Sequence, residues 1–456
     1  MPSEGTVEKE LLDFLHVRTK TVWEEDTDLF AAGGLSSLFA MELVVHLEKS
    51  YGIAIRGADL RLDNFRTVTG MAALVRRLRA AAGTPVSERL AEATASVTGL
   101  VGDRAGDWDR SGLLPAELLR KLGAAGQLCT GVPTEYGGLG WDSRTGGEFT
   151  AHVGSLCSSL RSVMTSQGMA AWTVERLGDE AQRRALLPRL TSGELAAVGF
   201  SESQAGSDLS GIDTRITADG DTVVVDGHKV WMTAAHYADL LIVFGRMGDG
   251  AAAVVVPARA PGVDVRRVAD PLGCRAAGHA EVRLDSVRLP ADSVLGGEGL
   301  SLPLLVTTAL AYGRMSVAWG CVGILRACLA ATTRHAASRE QFGQPLARHQ
   351  LVAKHLADLF VAEQVASRAC EHASHRWDNG SPDMVVATIL AKHVSAGHAA
   401  RGAASAVQVM ASAGAQDGHP VARAYRDAKL MEIIEGSNEM CELLLAQHAL
   451  TSVEPT

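Results

Sequence analysis

The chain has 456 residues, 47% apolar and 21% charged, a globular composition with enough length for two to four domains. Its formal charge of -9 is spread along the chain and Lys/Arg form no long block, which argues against a nucleic-acid partner. The opening MPSEGTVEKELLDFL is acidic and lacks a secretory pattern. Apolar runs stop short of the roughly 20 residues that span a bilayer, and the seven cysteines form no CxxC pair. These features predict reduced thiols in a cytoplasm, no membrane association and no metal site.

Residues 1-80 read as a compact helical unit, with VEKELLDFLHV, then SSLFAMELVVHLEKSYGI after Gly33-Gly34, then TVTGMAALVRRLRAA. Ser36 or Ser37 suits the N-cap of the second helix, where a hydroxyl accepts a backbone N–H bond. That helix is apolar on two sides. Leu38, Met41 and Val45 form one stripe, and Phe39, Leu43 and Leu47 form another opposite it. A small domain buries one stripe, so the other is expected to meet a partner.

Residues 81-88 mix small residues with Pro85 and read as a linker. Residues 89-196 are helical again, punctuated by GVPTEYGGLGWDSRTGG. Over 197-296 the apolar period changes from 3.6 to 2. DTVVVDGHKVWMT carries a hairpin signal at Asp226-Gly227, and ADLLIVFGRM, AAAVVVPA and AEVRLDSVRLP read as strands. Residues 297-456 return to long helices, with Leu351, Leu356, Leu359 and Phe360 on one stripe and Cys321 and Cys328 in the core. The fold class expected is mainly α with a β middle domain.

Five motifs then fall in a telling order: GFSESQAGSDLSGIDT, GHKVWMTAAHYADLLIVFGR, SREQFGQPLARHQ, AVQVMASAG and RDAKLMEIIEGSNEM. Over about residues 90 to 452 the chain resembles the acyl-CoA dehydrogenases in their sequence and spacing. The resemblance implies an α-helical N-domain, a barrel-like β middle domain and a C-terminal four-helix bundle, with FAD between the last two. It implies that Ser201 and Ser437 replace threonines at the flavin, that Ser207 meets the pyrophosphate, and that Trp231 packs against the flavin with Thr233, two residues on, facing the same side of the strand. Arg339, Gln341, Phe342 and Gln408 would reach the FAD of a neighbouring subunit in a homodimer or homotetramer. Glu435 matches the catalytic glutamate. Some relatives carry the base on the helix that here reads LAYGRMSV, but this chain has Gly313 beside Arg314 and no carboxylate there. Two positions depart from the pattern: Ala234 replaces a polar residue, and Ala411-Ser412 replace a glycine pair.

The first domain resembles an acyl carrier protein. Ser37 falls on the serine that a phosphopantetheinyl transferase loads with 4'-phosphopantetheine. The face beside it (Leu38, Met41, Val45) would meet partners, flanked by Glu42 and Glu48. Ser36 and Phe39 replace acidic residues of that helix, so docking should rest more on apolar contact. The combined resemblance implies an oxidoreductase that dehydrogenates an acyl group held as a thioester on its own carrier, in polyketide or nonribosomal peptide biosynthesis. A glyceryl-derived, methoxymalonyl-type extender unit is the specific substrate expected, with electron-transfer flavoprotein or oxygen as acceptor. The rivals are a catabolic acyl-CoA dehydrogenase with an unused carrier, and a redox-inactive carrier scaffold.

Overall fold

The computed structural model describes residues 6-30, 37-51, 53, 55, 57-82 and 85-452. The chain forms two compact units, Met1–Glu92 and Ala93–Thr456. In the first, α1 (Thr6–Thr19), α2 (Ser37–Tyr51) and α3 (Val68–Ala82) are joined with two 3-10 turns, Gly57–Leu60 and Leu62–Phe65, before α3. Leu11, Leu15, Leu43, Leu47 and Met71 are fully buried, and Phe39 packs against this core, so the stripe expected to face inward does so. Val45, on the other stripe, is 45% exposed. Ser36 and the side chains of Ser37, Leu38 and Met41 lie outside the described residues. Glu42 and Glu48 are not free flanking charges. Glu42 pairs with Arg18, and Glu48 accepts from the Ile55 N–H at 2.9 Å, tying the helix to its own unit.

The division between the units falls within α4 (Val86–Val101), so residues 86-88 of the expected linker are helical. α5 (Ala105–Ser111), α6 (Ala116–Ala124), α7 (Ser143–Leu156), α8 (Ser158–Leu177) and α9 (Glu180–Thr191) follow. Asp142 caps α7, and a reciprocal box of Asp179 and Gln182 caps α9. Helix α8 is buried around its whole circumference from Ser158 to Ala171, so it runs through the interior rather than over it.

The β part comprises β1 (Ala196–Gly199), β2 (Arg215–Asp219), β3 (Thr222–Met232), β4 (Leu240–Met247), β5 (Gly250–Pro257), β6 (Val263–Arg267), β7 (Ala280–Pro290) and β8 (Val294–Leu300). They make one sheet in the order β6-β7-β3-β2-β4-β5-β8, with β1 parallel to β4. Sheet structure thus extends past residue 296. Asp226-Gly227 is not a hairpin. β3 runs straight through it, and a register shift against β7 makes it a bulge in which Asp226 accepts from the Ser286 N–H at 2.7 Å. The turn lies one Asp-Gly earlier, where Gly220 (φ +61°) and Asp221 connect the paired ends Asp219 and Thr222.

The helices resume with α10 (Leu302–Ser338), then a hairpin of β9 (Glu340–Gln341) and β10 (Gln344–Pro345), then α11 (Gln350–Asp378), α12 (Met384–Met410), α13 (Pro420–Met431) and α14 (Asn438–Ser452). α10 corrects the reading of apolar runs: by length and composition it could cross a bilayer. Its apolar stretch is instead mostly buried, because α7, α8, α11, α12 and α13 all pack on it. Trp319, Cys321 and Cys328 are among its fully buried residues.

Candidate active site

Glu435 lies in the six-residue connection between α13 and α14. Its backbone is left-handed (φ +57°), and Gly436 after it is also left-handed (φ +87°). Two buried cations hold this unusual turn. Lys392 of α12 is fully buried, and its Nζ donates to the carbonyls of Gly436 (2.7 Å) and Glu432 (3.3 Å) and to Asn438 Oδ1 (3.2 Å). Arg314 of α10 donates Nε to the Glu435 carbonyl at 3.1 Å. Carbonyls left over at the end of α13 are thereby satisfied by side chains, and the strained conformation is pinned from two helices.

With its backbone fixed, the Glu435 side chain turns inward. Oε2 is buried and has no hydrogen-bond partner among the described residues. Loss of solvent raises its pKa to about 7, opposed by the positive charges of Arg314, Lys392 and Arg161. Gly313 makes the space: a Cβ there would collide with Oε2 and with the Met169 methyl. The position where some relatives carry a base is therefore filled by the carboxyl of Glu435 itself.

A buried polar group lies on α8 and its neighbours. Arg161 of α8 is 1% exposed and donates to Thr165 Oγ1 at 3.1 Å and to Met431 Sδ at 2.9 Å. Thr165 Oγ1 is 2.7 Å from Ser316 Oγ of α10. His279, 8% exposed, shares a hydrogen bond with Thr233 Oγ1 at 3.2 Å through Nδ1, while its Nε2 has no partner among the described residues. Burial and the nearby Arg161 charge lower its pKa to about 4, so the ring is neutral at pH 7. A separate cavity of about 330 Å³, lined by Trp141, Trp172, Tyr312 and Trp377, does not include Glu435.

Trp231 and Thr233 meet at His279, with the Trp231 and His279 rings edge-to-face at 5.9 Å. They do so by a different route from the strand alternation expected. β3 ends at Met232, a second register shift falls between Lys229 and Met232, and Trp231 is left-handed (φ +56°). Thr233 sits in the following turn, where its carbonyl accepts from Ser166 Oγ at 2.9 Å. Ser201 follows β1, and its carbonyl accepts from the Val230 N–H at 2.9 Å. Ser207 is exposed in the loop that follows. Ser437 Oγ caps α14, accepting from the Met440 N–H at 3.3 Å. Arg339, Gln341 and Phe342 at the β9-β10 hairpin and Gln408 on α12 are all exposed, Phe342 at 96%. Among the described residues, nothing covers these four.

Comparison with known proteins agrees with this geometry. Three segments match successive families: the acyl-CoA dehydrogenase N-terminal domain at residues 88–194, the middle domain at 197–287 and the C-terminal domain at 303–450. The chain belongs to the acyl-CoA dehydrogenase family. A fourth match, to the phosphopantetheine attachment site family, covers residues 6–75. A probable acyl-CoA dehydrogenase of Bacillus subtilis, YngJ, is 34% identical over 75% of this chain and 92% of its own length. The human mitochondrial short-chain specific acyl-CoA dehydrogenase is 30% identical over 75% and 85%. Among solved structures, FkbI, described as acting in biosynthesis of the methoxymalonyl extender unit of the polyketide immunosuppressant Fk520, is 68% identical. The alignment covers 78% of this chain and 99% of that one, with a TM-score of 0.76.

This acyl-CoA dehydrogenase is accordingly a flavin-dependent oxidoreductase that acts on acyl thioesters, and it carries a phosphopantetheine domain. The residues present fit FAD. Trp231 keeps 57% of its surface exposed beside a buried imidazole nitrogen that has no partner, an apolar face with a polar edge suited to a planar heterocycle. The sequence reading missed three members of the site: Lys392, Arg161 and His279. The first two had a signal, each being the only Lys or Arg in a stretch of mostly apolar or small residues (VVATILAKHVSAG and SSLRSVMTSQGMAA). His279 had none.

Proposed function

We propose that the chain dehydrogenates an acyl group held as a thioester on 4'-phosphopantetheine at its own Ser37, with Glu435 as the base. One observation carries the reading: a buried carboxyl oxygen with no partner, held against Gly313 by two cationic anchors and poised near pH 7. Such a group takes up a proton readily and gives it back at cellular pH. Glu435 would remove the proton from the carbon next to the thioester carbonyl. Bound FAD supplies the acceptor for the hydride that leaves the next carbon. Arg314 and Lys392 keep the carboxylate in place through the backbone, and the buried walls of α8 and α10 keep water from the reacting carbons.

The cofactor residues would be Ser201, Ser207, Trp231, Thr233 and Ser437 from one chain. The exposed Arg339, Gln341, Phe342 and Gln408 would be completed by a second copy, which supports a homo-oligomer. Similarity to FkbI supports a three-carbon, methoxymalonyl-type precursor as the acyl group and polyketide assembly as the setting. The fused carrier domain favours that setting over free acyl-CoA catabolism.

The test is to load the purified chain with acyl-pantetheine, using a phosphopantetheinyl transferase and acyl-CoA, and to follow flavin absorbance without oxygen. Fast bleaching in the loaded wild-type chain, and only the slow rate of free acyl-CoA in Ser37→Ala treated alike, is expected. Equal bleaching in both would move the substrate off the carrier.

A further inference from the structure

Arg161 is an unusual residue to find inside a protein. It is 1% exposed, yet no carboxylate lies within ion-pair distance among the described residues. A guanidinium has five N–H donors, and the acceptors found for it are one hydroxyl and one thioether. A buried, unpaired charge costs several kcal/mol, so a cation of this kind is ordinarily matched by an anion or a set of strong acceptors. Gly320 of α10 makes room for it, since a Cβ there would press on Nε. The position is built for a guanidinium, but its counter-group is missing.

The surroundings show where that counter-group would sit. His279 reaches the same stretch of α8 as Arg161, since its partner Thr233 accepts at its carbonyl from Ser166 Oγ, the neighbour of Thr165. Arg161 Nη1 reaches Thr165, one helical turn from Met169, and Met169 lies with Glu435 Oε2 against Gly313. The four residues from Thr165 to Met169 rise about 6 Å. The guanidinium and the proton-abstracting carboxyl are thus only a few carbon–carbon bonds' length apart. The groups near them are not those of a purely apolar acyl site, because the Thr165–Ser316 hydroxyl pair and His279 Nε2 are polar.

We infer that Arg161, with His279 and the Thr165–Ser316 hydroxyls, reads an oxygen on the acyl group itself, so that the substrate is a short acyl thioester oxygenated beyond the carbon that loses its proton. The inference rests on the proposed role of Glu435. It adds that the site selects for a hydroxyl or carboxylate and against a plain alkyl chain. Arg161 is then a specificity-determining residue, and its missing acceptor is supplied by substrate.

The experiment loads the carrier with propionyl, 3-hydroxypropionyl or succinyl pantetheine and compares initial rates of anaerobic flavin bleaching. Wild type should favour at least one oxygenated group over propionyl by on the order of 10²-fold, since a site built to bond an oxygen penalises its absence heavily. Arg161→Met should bring that ratio towards one, and Arg161→Lys should restore part of it. Because the ratio is measured within one preparation, it does not depend on the fraction of folded enzyme. Should Arg161→Met fail to fold, Thr165→Val carries the same test by releasing Nη1. Equal rates in wild type, or a ratio unchanged in both Arg161→Met and Thr165→Val, would overturn the inference and leave the dehydrogenase reading standing. A flavin-loaded wild type that no thioester bleaches would overturn both.

Discussion

Lys392 and Gly436 are joined by a 2.7 Å hydrogen bond from a fully buried ammonium to the carbonyl that follows Glu435. The same ammonium holds Glu432 and Asn438, so one lysine from α12 ties down the turn that carries Glu435. Its own pKa is lowered by burial, a cost the fold accepts for three satisfied acceptors. Lys392→Met leaves those acceptors unpaired in the interior. We expect a loss of stability on the order of 2–4 kcal/mol, read from a denaturant midpoint. Removing the charge also removes one influence that holds the Glu435 pKa down, so the pH midpoint of flavin reduction should rise. A midpoint that stays or falls would separate Lys392 from the carboxyl.

Glu435→Gln should keep FAD and lose flavin bleaching by about 10²–10⁴-fold, about 3–5 kcal/mol of barrier, because an amide accepts no proton. In wild type the ionised form is the active one. With a pKa of about 7, the rate should fall as pH drops below 7 and level off above it.

The same shift has a stability consequence of definite sign. The folded pKa lies above the ordinary carboxyl value of 4.5, so the folded state holds more protons than the unfolded one between pH 4.5 and 7. The stability this gives is full below that window and is lost as pH rises through 7. Glu435→Gln, which carries no charge to bury, should therefore melt higher than wild type at pH 8 and close to it at pH 5. Identical melting differences at the two pH values would mean that the carboxyl titrates normally.

The chain's motifs made the dehydrogenase fold and the buried face of α2 legible, because each rests on residue type at fixed spacing. Backbone-determined features were less so. Asp226-Gly227 and Asp219-Gly220 present the same dipeptide, and only strand pairing decides that the first is a bulge and the second a turn. Thr233 reached the Trp231 side through a left-handed residue that no alternation rule foresees. Arg161 and Lys392 escaped notice because a lone cation on an apolar helix reads equally as a surface residue; burial on every side of α8 is a tertiary fact. The two family departures proved informative in a way composition did not suggest. Ala234 (φ +64°) and Ala411 (φ +51°) both occupy left-handed positions, where asparagine and glycine are better tolerated.

That strain can be relieved at one of them. Ala411 has φ +51° and ψ -134° at the end of α12 and is exposed, so nothing crowds a smaller residue there. Ala411→Gly should stabilise the chain by about 1 kcal/mol despite the freer unfolded state of glycine. The check is a higher denaturant midpoint at unchanged slope. A destabilised variant would mean that Ala411 is not strained.

The last prediction concerns the fusion of carrier and dehydrogenase in one chain. Attachment at Ser37 makes delivery intramolecular, with an effective concentration near the millimolar range for a short flexible connection. An enzyme supplied in that way needs little grip on the nucleotide of CoA. It should reduce its flavin quickly when its own carrier is loaded and slowly with micromolar acyl-CoA bearing the same acyl group. Ser37→Ala should abolish the first reaction and leave the second as it was. Val45, exposed on α2, offers a gentler probe: Val45→Glu leaves the buried Leu43 and Leu47 untouched but puts a charge on the apolar face. It should slow bleaching by the tethered group while the rate with free acyl-CoA stays constant. Stopped-flow records of the three proteins with both substrates decide the matter. If free acyl-CoA at micromolar concentration bleaches wild type and Ser37→Ala as fast as the loaded carrier does, the tether confers no advantage and the chain works as an ordinary acyl-CoA dehydrogenase.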